Sequence, residues 1–222
     1  MASRQLFIGI DSGTQSTKAL VVDGKSGKVL AEASKAYGLI KGLGPGAKEQ
    51  HPHTWRDAAR RSMSQALKAC KAKSEEVKGI GVSGQQHGFV PLDGKGEVIR
   101  PAKLWCDTST AKECEEIMQR MGGIKATIKS IGNAVLPGFT ASKILWLKKN
   151  EPKHYRQLRT ILLPHDYLNH WLTGPAVMEY GDASGNALHD VRKRAWSSKV
   201  LDAVGPSLEK RLPELIGSDQ PA

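Results

Sequence analysis

Ile8-Gly9-Ile10-Asp11-Ser12-Gly13-Thr14-Gln15-Ser16-Thr17-Lys18 is the stretch on which the fold of this 222-residue chain turns. The apolar run Leu6–Ile10 reads as a buried strand entering a polar turn, and Thr17–Asp23 reads as a second strand leaving it. Asp23-Gly24 and Ser26-Gly27 turn the chain into Lys28–Tyr37, where Val29, Ala31 and Ala33 share one face. Three strands joined by short turns predict an antiparallel meander. At the first turn, Gly13 has no side chain to keep a ligand off the backbone. Backbone N–H groups and the hydroxyls of Thr14, Ser16 and Thr17 are donors for phosphate oxygens. Lys18 offers a point charge, and the carboxylate of Asp11 suits a hard cation such as Mg²⁺. The spacing is neither a Walker A loop nor a GxGxxG fingerprint. By residue type alone the segment is equally a phosphate-holding turn and an ordinary hairpin, whose turn also favours Asp, Ser and Gly.

Downstream, Gly38–His53 is rich in Gly, Pro and His and reads as a loop. Thr54, with Asp57 three residues on, opens a helix whose stripe is Trp55, Ala59, Met63, Ala66, Leu67 and Cys70. Val77–Val82 reads as a buried strand, Ser83–Gly88 as a polar loop, and Phe89–Leu92 as a strand. The chain crosses again from Val98 to Trp105. Thr110 with Glu113 caps a helix that stops at Gly122-Gly123. Further helices are predicted over Ala141–Lys149, Asp166–Leu172 and Ser197–Ala203, and short strands at Leu162-Leu163 and Ala187–Val191. The tail Leu212–Ala222 shows no clear element. A meander followed by alternating strands and helices predicts an α/β layered domain, taken as a single domain over residues 1–222.

Bulk composition narrows the function classes. The net charge of +11 invites a nucleic-acid reading. The cations are scattered along predicted helices, as at Arg56, Arg60, Arg61, Lys68, Lys148, Lys149 and Arg156, without aromatic interleaving or a recognised module. No nucleic acid is therefore expected as a partner. Cys70, Cys106 and Cys114 form no Cys-x-x-Cys pair, which fits free thiols in a reducing compartment. No apolar run nears the roughly 20 residues of a membrane span. Residues 1–5 carry no signal-peptide core. A cytoplasmic protein without a membrane partner is expected.

The opening segment resembles the first phosphate motif of the actin-like ATPase (ribonuclease H-like) fold, in the form used by the FGGY carbohydrate kinases. Further segments agree, in order. They are Gly79-Ile-Gly-Val-Ser-Gly-Gln-Gln-His-Gly88, Leu104-Trp-Cys-Asp107, Pro137-Gly-Phe-Thr-Ala-Ser-Lys-Ile-Leu-Trp146, Leu163-Pro-His-Asp-Tyr-Leu168 and Gly181-Asp-Ala-Ser-Gly-Asn-Ala187. The resemblance covers most of the chain and is nearest to the pattern of the xylulose kinases. It implies a mixed sheet opening with an antiparallel meander and flanked by helices. It implies ATP and Mg²⁺, with Asp11 serving the metal and the transferring phosphoryl group, and Gly13, Thr14, Gln15 and Lys18 lining the phosphates. Gln86, His87, Trp105 and Asp107 fall where the family meets its sugar. Xylulose kinases often have Met-His where Gln86-His87 stands, so ribulose, gluconate and polyols stay open beside D-xylulose. Trp105 is equally a core residue by its type, and Asp182 and Asn186 read as loop-fixing residues.

The family's general base lies in a Gly-Gly-x-Asp segment, and none follows Leu215. The resemblance therefore implies that the base and the adenine-binding C-terminal domain lie beyond Ala222, and that this chain alone is nearly inactive. It is compatible with a homodimer of the full enzyme. Two other readings stand beside a kinase half: a non-catalytic sugar-binding module with the kinase fold, and a basic nucleic-acid-binding domain.

Overall fold

In the computed structural model, which describes residues 4–222, Leu6, Ile8 and Ile10 are buried along one side of the first strand, while Phe7 between them is 44% exposed. That alternation with period two is what half-covers a sheet. The elements follow in chain order. First come β1 (Leu6–Ser12), β2 (Ser16–Asp23), β3 (Val29–Ala36), β4 (Glu49–Gln50), α1 (Pro52–Ala69), β5 (Val77–Gly84), β6 (Val90–Leu92) and β7 (Ala102–Lys103). Then come α2 (Ala111–Arg120), α3 (Ile124–Ile131), α4 (Thr140–Asn150), α5 (Pro152–Gln157), β8 (Thr160–Leu162), α6 (Pro164–Thr173), β9 (Val177–Glu179) and α7 (Tyr180–Ala183). The chain closes with β10 (His189–Asp190), β11 (Ala195–Trp196), α8 (Ser198–Val204) and β12 (Glu214–Ile216). They form two compact units: the described residues through Leu39 with Pro52–Gln85, and Ile40–His51 with Gln86–Ala222.

The first unit is a mixed four-stranded sheet of order β3-β2-β1-β5. The predicted meander is present: β1 pairs antiparallel with β2, and β2 with β3, while β5 joins β1 in parallel. Helix α1 packs across β3, β2 and β1. Its buried side is Trp55, Ala58, Ala59, Ser62 and Ala66, so small residues bring the helix close to the sheet. Buried Ser62 also donates to the carbonyl of Thr17 at 3.0 Å. Met63 is only half-buried, and the helix starts at Pro52 rather than Thr54, because proline suits a first helical turn. The expectation of a buried strand at Val77–Val82 is corrected. The strand forms, but β5 is the edge of the sheet and Ile80 is 45% exposed. At the base of the sheet, Arg4 ion-pairs with Glu76 at 2.7 Å and holds its carboxyl down at about 2.

The second unit is mainly helical. Ile117, Ile131, Ile144, Leu147, Leu188 and Val204 are fully buried in one apolar cluster. Helix α3, helix α5 and the parallel pair β9–β12 were not read from the sequence. Thr110 does not cap α2 through its side chain; it is buried, and its hydroxyl pairs instead with that of Ser142 at 2.8 Å. Among the described residues no helix is long and apolar enough to cross a membrane.

Lys143, on α4, is fully buried. Its ammonium donates to the carbonyls of Pro137 and Phe139. Burial lowers its pKa from 10.5 to about 8, with Asp107 opposing the shift. Between those values the unfolded chain holds more protons than the folded one, so stability from this position rises with pH. We expect the unfolding free energy of the chain, relative to Lys143→Met, to move in its favour by about 2 kcal/mol between pH 8 and 10. Denaturant titrations at both pH values measure this, and a constant difference would show that the ammonium is not desolvated.

Candidate functional site

At the tip of the first unit, β1 and β2 stay paired to their last residues, Ser12 opposite Thr17. Only Gly13, Thr14 and Gln15 are left to turn, closed by Gly13 N–H donating to the Ser16 carbonyl at 2.9 Å. Tyr37, just past β3, holds this tip. Its N–H donates to the Gln15 carbonyl at 2.9 Å and its hydroxyl to the Gly13 carbonyl at 2.6 Å. With its one hydrogen spent, the phenol oxygen accepts from Thr17 at 3.0 Å, next to the Ser12 hydroxyl at 3.4 Å. Burial raises the Tyr37 pKa, so the phenol stays protonated. Thr14 donates to the side-chain oxygen of buried Gln85 at 3.2 Å, and the Gln85 N–H donates to the Ser12 carbonyl at 3.0 Å.

Thr17 is therefore not a phosphate donor, contrary to expectation. It is fully buried, because position 17 falls on the helix side of β2. The other face carries Asp11 directly opposite Lys18, both exposed. No ion pair joins them among the described residues, although their charges are opposite. Gly9, Asp11, Lys18, Leu20, Gly81 and Ser83 line a groove of about 390 Å³ on that face. Gly9 stands level with Gly81 in the pairing, so no side chain fills the groove there. An exposed carboxylate, an exposed ammonium and a glycine-bearing turn together suit a phosphate with its counter-cation. Among the described residues no group of three or more His, Cys, Asp or Glu could form a metal cage.

In the second unit, Gln86 is exposed and His87 half-buried. His87 adopts a left-handed backbone, φ 56°, and its ring lies 4.7 Å from that of Phe139. A side chain at Gly185 would overlap the His87 ring, so that glycine makes room for it. Burial, aided by Lys143, lowers the His87 pKa, leaving the imidazole neutral with one donor and one acceptor nitrogen. Trp105 is 51% exposed, which removes the core-packing alternative. Its carbonyl lies where a Cβ on Gly138 would sit only 2.7 Å away, so the backbones of the two loops run close.

Asp107 does not fit the expected sugar contact. It is fully buried, and both its oxygens are occupied. Oδ1 accepts from the N–H and hydroxyl of Ser109, at 3.0 and 2.6 Å. Oδ2 accepts from the Lys48 N–H at 2.8 Å and the Lys103 ammonium at 3.2 Å. Burial pushes its pKa up, but Ser109, Lys48 and Lys103 outweigh this and keep it ionised. Lys103, itself buried, also pairs with Glu49 at 3.1 Å and lies 4.1 Å from the centre of the Trp146 ring. Glu49 takes two 2.8 Å bonds from Arg100, which reaches Glu151 at 2.9 Å. This connected charge network fixes the loop on which Trp105 stands. Asn186 fixes its own loop as expected, accepting from the Leu188 N–H at 2.7 Å. Tyr37, Gln85 and the Lys103–Glu49–Arg100 network were missed from the sequence, since each works through partners far away in the chain.

Residues 6–222 match the sequence model of the FGGY family of carbohydrate kinases, N-terminal domain. The chain belongs to this family. It is 42% identical over 221 residues to a xylulose kinase of Haemophilus influenzae, covering 97% of this chain and 45% of that protein. The crystal structure of a "xyloylose kinase" from Brucella ovis superposes with a TM-score of 0.88 at 34% identity, over 96% of this chain and 43% of that one. A gluconate kinase from Lactobacillus acidophilus gives 0.86 at 25% identity, over 96% and 42%. The chain thus spans less than half the length of the relatives it matches. The expected actin-like ATPase fold is borne out by these neighbours.

If Tyr37 sets the tip, Tyr37→Phe leaves the Gly13 carbonyl and the Thr17 hydroxyl without their shared partner. We expect a loss of about 1–2 kcal/mol in chemical denaturation of the chain. A change below about 0.3 kcal/mol would show that the tip does not depend on the phenol.

Proposed function

We propose that the whole protein phosphorylates a ketopentose, converting ATP and D-xylulose to ADP and D-xylulose 5-phosphate, and that this chain is its N-terminal, sugar-binding domain. One observation carries the reading: identity of 42% to a xylulose kinase extends over 97% of the chain. The local geometry agrees with it. Asp11 and Lys18 are open to a ligand, the tip is held by Tyr37, and Gln86, His87 and Trp105 offer hydrogen-bonding groups and an apolar ring face. Magnesium bound with the nucleotide would neutralise phosphate charge, held by Asp11 directly or through water. Gly13, Thr14 and Gln15 would bring backbone against the phosphates, and Lys18 would add positive charge. His87 and Gln86 would bond sugar hydroxyls, and Trp105 would stack on the apolar face of the sugar. Asp107 would act behind them, by fixing the Trp105 loop.

The base that deprotonates the attacking hydroxyl is not assigned to any residue of this chain. The rest of the relatives' length is where it and the second wall of the nucleotide site would lie. On this reading the whole protein works in the cytoplasm, where ATP is available, and the three free cysteines suit that compartment. A second reading, a kinase for another sugar, is favoured by the gluconate kinase neighbour and by Gln86 in place of the commoner Met. A panel of D-xylulose, ribulose and gluconate with the full-length protein decides between them by kcat/KM.

Role assignments are separable by kinetics. Asp11→Asn in the full-length protein should lower kcat by at least about 100-fold with little change in sugar KM, because Asp11 faces phosphate and metal. The reverse pattern would sink that role. His87→Ala should raise sugar KM about tenfold or more while leaving ATP KM near its original value. An unchanged sugar KM would remove His87 from the site.

A further inference from the structure

Behind Gln86 runs a line of charge that the proposed reaction does not use. The Gln86 side-chain nitrogen donates to Asp182 Oδ1 at 3.3 Å. Asp182 Oδ2 lies 2.8 Å from His165 Nε2, which lies 3.2 Å from Asp166 Oδ1. The second oxygen of Asp166 accepts from the Leu163 N–H at 3.0 Å, at the start of α6. Exposure falls steadily along this line. Gln86 is exposed, the Asp182 side chain is 24% exposed, and His165 and Asp166 are buried.

The ionisation of each member follows from its neighbours. Burial disfavours an imidazolium at His165, but Asp166 and Asp182 outweigh it and push the pKa well above the ordinary value. Asp182 is held below the usual carboxylate range by its bond to His165. Asp166 moves the other way, raised by complete burial against the pull of His165. His165 Nε2 thus lies within ion-pair distance of both Asp166 and Asp182, on the side of Asp182 away from Gln86.

A carboxylate can only accept, so the group that Gln86 turns toward Asp182 must be its NH₂. Its carbonyl oxygen then faces away as an acceptor. We propose that Asp182, clamped by His165, is a positioning residue for sugar specificity: it sets the Gln86 amide so that position 86 accepts from a sugar hydroxyl. The inference rests on the proposed role of Gln86 as a sugar contact. It gives Asp182 more than the loop-fixing task its place in the sequence suggested. It also explains how a glutamine serves at a position where an apolar residue would have no orientation to control.

Steady-state kinetics of the full-length protein with D-xylulose test this, using Gln86→Ala, Gln86→Glu, Asp182→Asn and the Gln86→Glu/Asp182→Asn pair. Asp182→Asn turns an obligate acceptor into a group that can donate, freeing the Gln86 amide to flip. Gln86→Glu sets carboxylate against carboxylate. Each should raise sugar KM about tenfold. In the pair, the asparagine donates to the glutamate and leaves its other oxygen outward. Sugar KM should return to within about threefold of the original, with ATP KM unchanged throughout. A simple burial or folding role cannot produce that recovery. Single effects that add in the pair overturn the clamp, while a raised KM in Gln86→Ala keeps Gln86 as a sugar contact. An unchanged KM in Gln86→Ala overturns the contact and the clamp together. Should Asp182→Asn fail to fold, Gln86→Glu against Gln86→Ala still decides: the clamp requires the glutamate to be the worse of the two, and equal values overturn it.

Discussion

One phenol hydrogen, given by Tyr37 to the carbonyl of Gly13, governs the end of the first sheet. Three strands finish there, and every hydroxyl on the inner side of the tip is drawn into that one centre. Thr17 and Ser12 gather on the phenol oxygen, and Tyr37 reaches back along its own backbone to Gln15. The outer side carries none of this traffic, so Asp11 and Lys18 remain uncommitted. The division of labour comes from strand parity: odd positions on β1 face the groove and even positions face the core. A tip held this way presents its backbone without first having to be ordered by a ligand, which lowers the entropic cost of binding.

The second unit solves a similar problem with charge in place of a phenol. Trp105 stands half in solvent, yet the residues two before and two after it are buried and ion-paired to each other. Lys103 and Asp107 act as two posts of one short loop. The ring of Trp146 and the carboxylate of Glu49 complete the setting of the lysine. Breaking a buried pair leaves an uncompensated charge and costs several kcal/mol, so the loop has few alternative conformations.

The meander and the Gly13–Gln15 turn were legible in the sequence because both depend on neighbours in the chain. Alternating apolar residues at 6, 8 and 10 and the glycine at 13 carry their meaning locally. The second unit was legible only as far as its motifs ran. Trp105 stands half in solvent and His87 is half-buried, while Asp107 looked like a ligand residue and is fully buried. Nothing local reveals that Lys48, 59 positions away, fills its oxygen. Ile80 was read as core because an apolar strand looks alike at the centre and the edge of a sheet. Short helix α3 follows two glycines that mask its start, and β12 gains its identity only from pairing with β9, far back in the chain.

The linked set Glu151, Arg100, Glu49, Lys103 and Asp107 has a consequence for how this protein can change over generations. Each member answers the charge of the next, so a neutralising substitution at one strands a buried partner at another. Such a set resists drift one residue at a time and is replaceable only by compensated changes at two positions together. Gln86 and its partner Asp182 stand outside this set, joined to each other at 3.3 Å. Under the proposed roles, that pair can change together while the loop that presents Trp105 stays fixed.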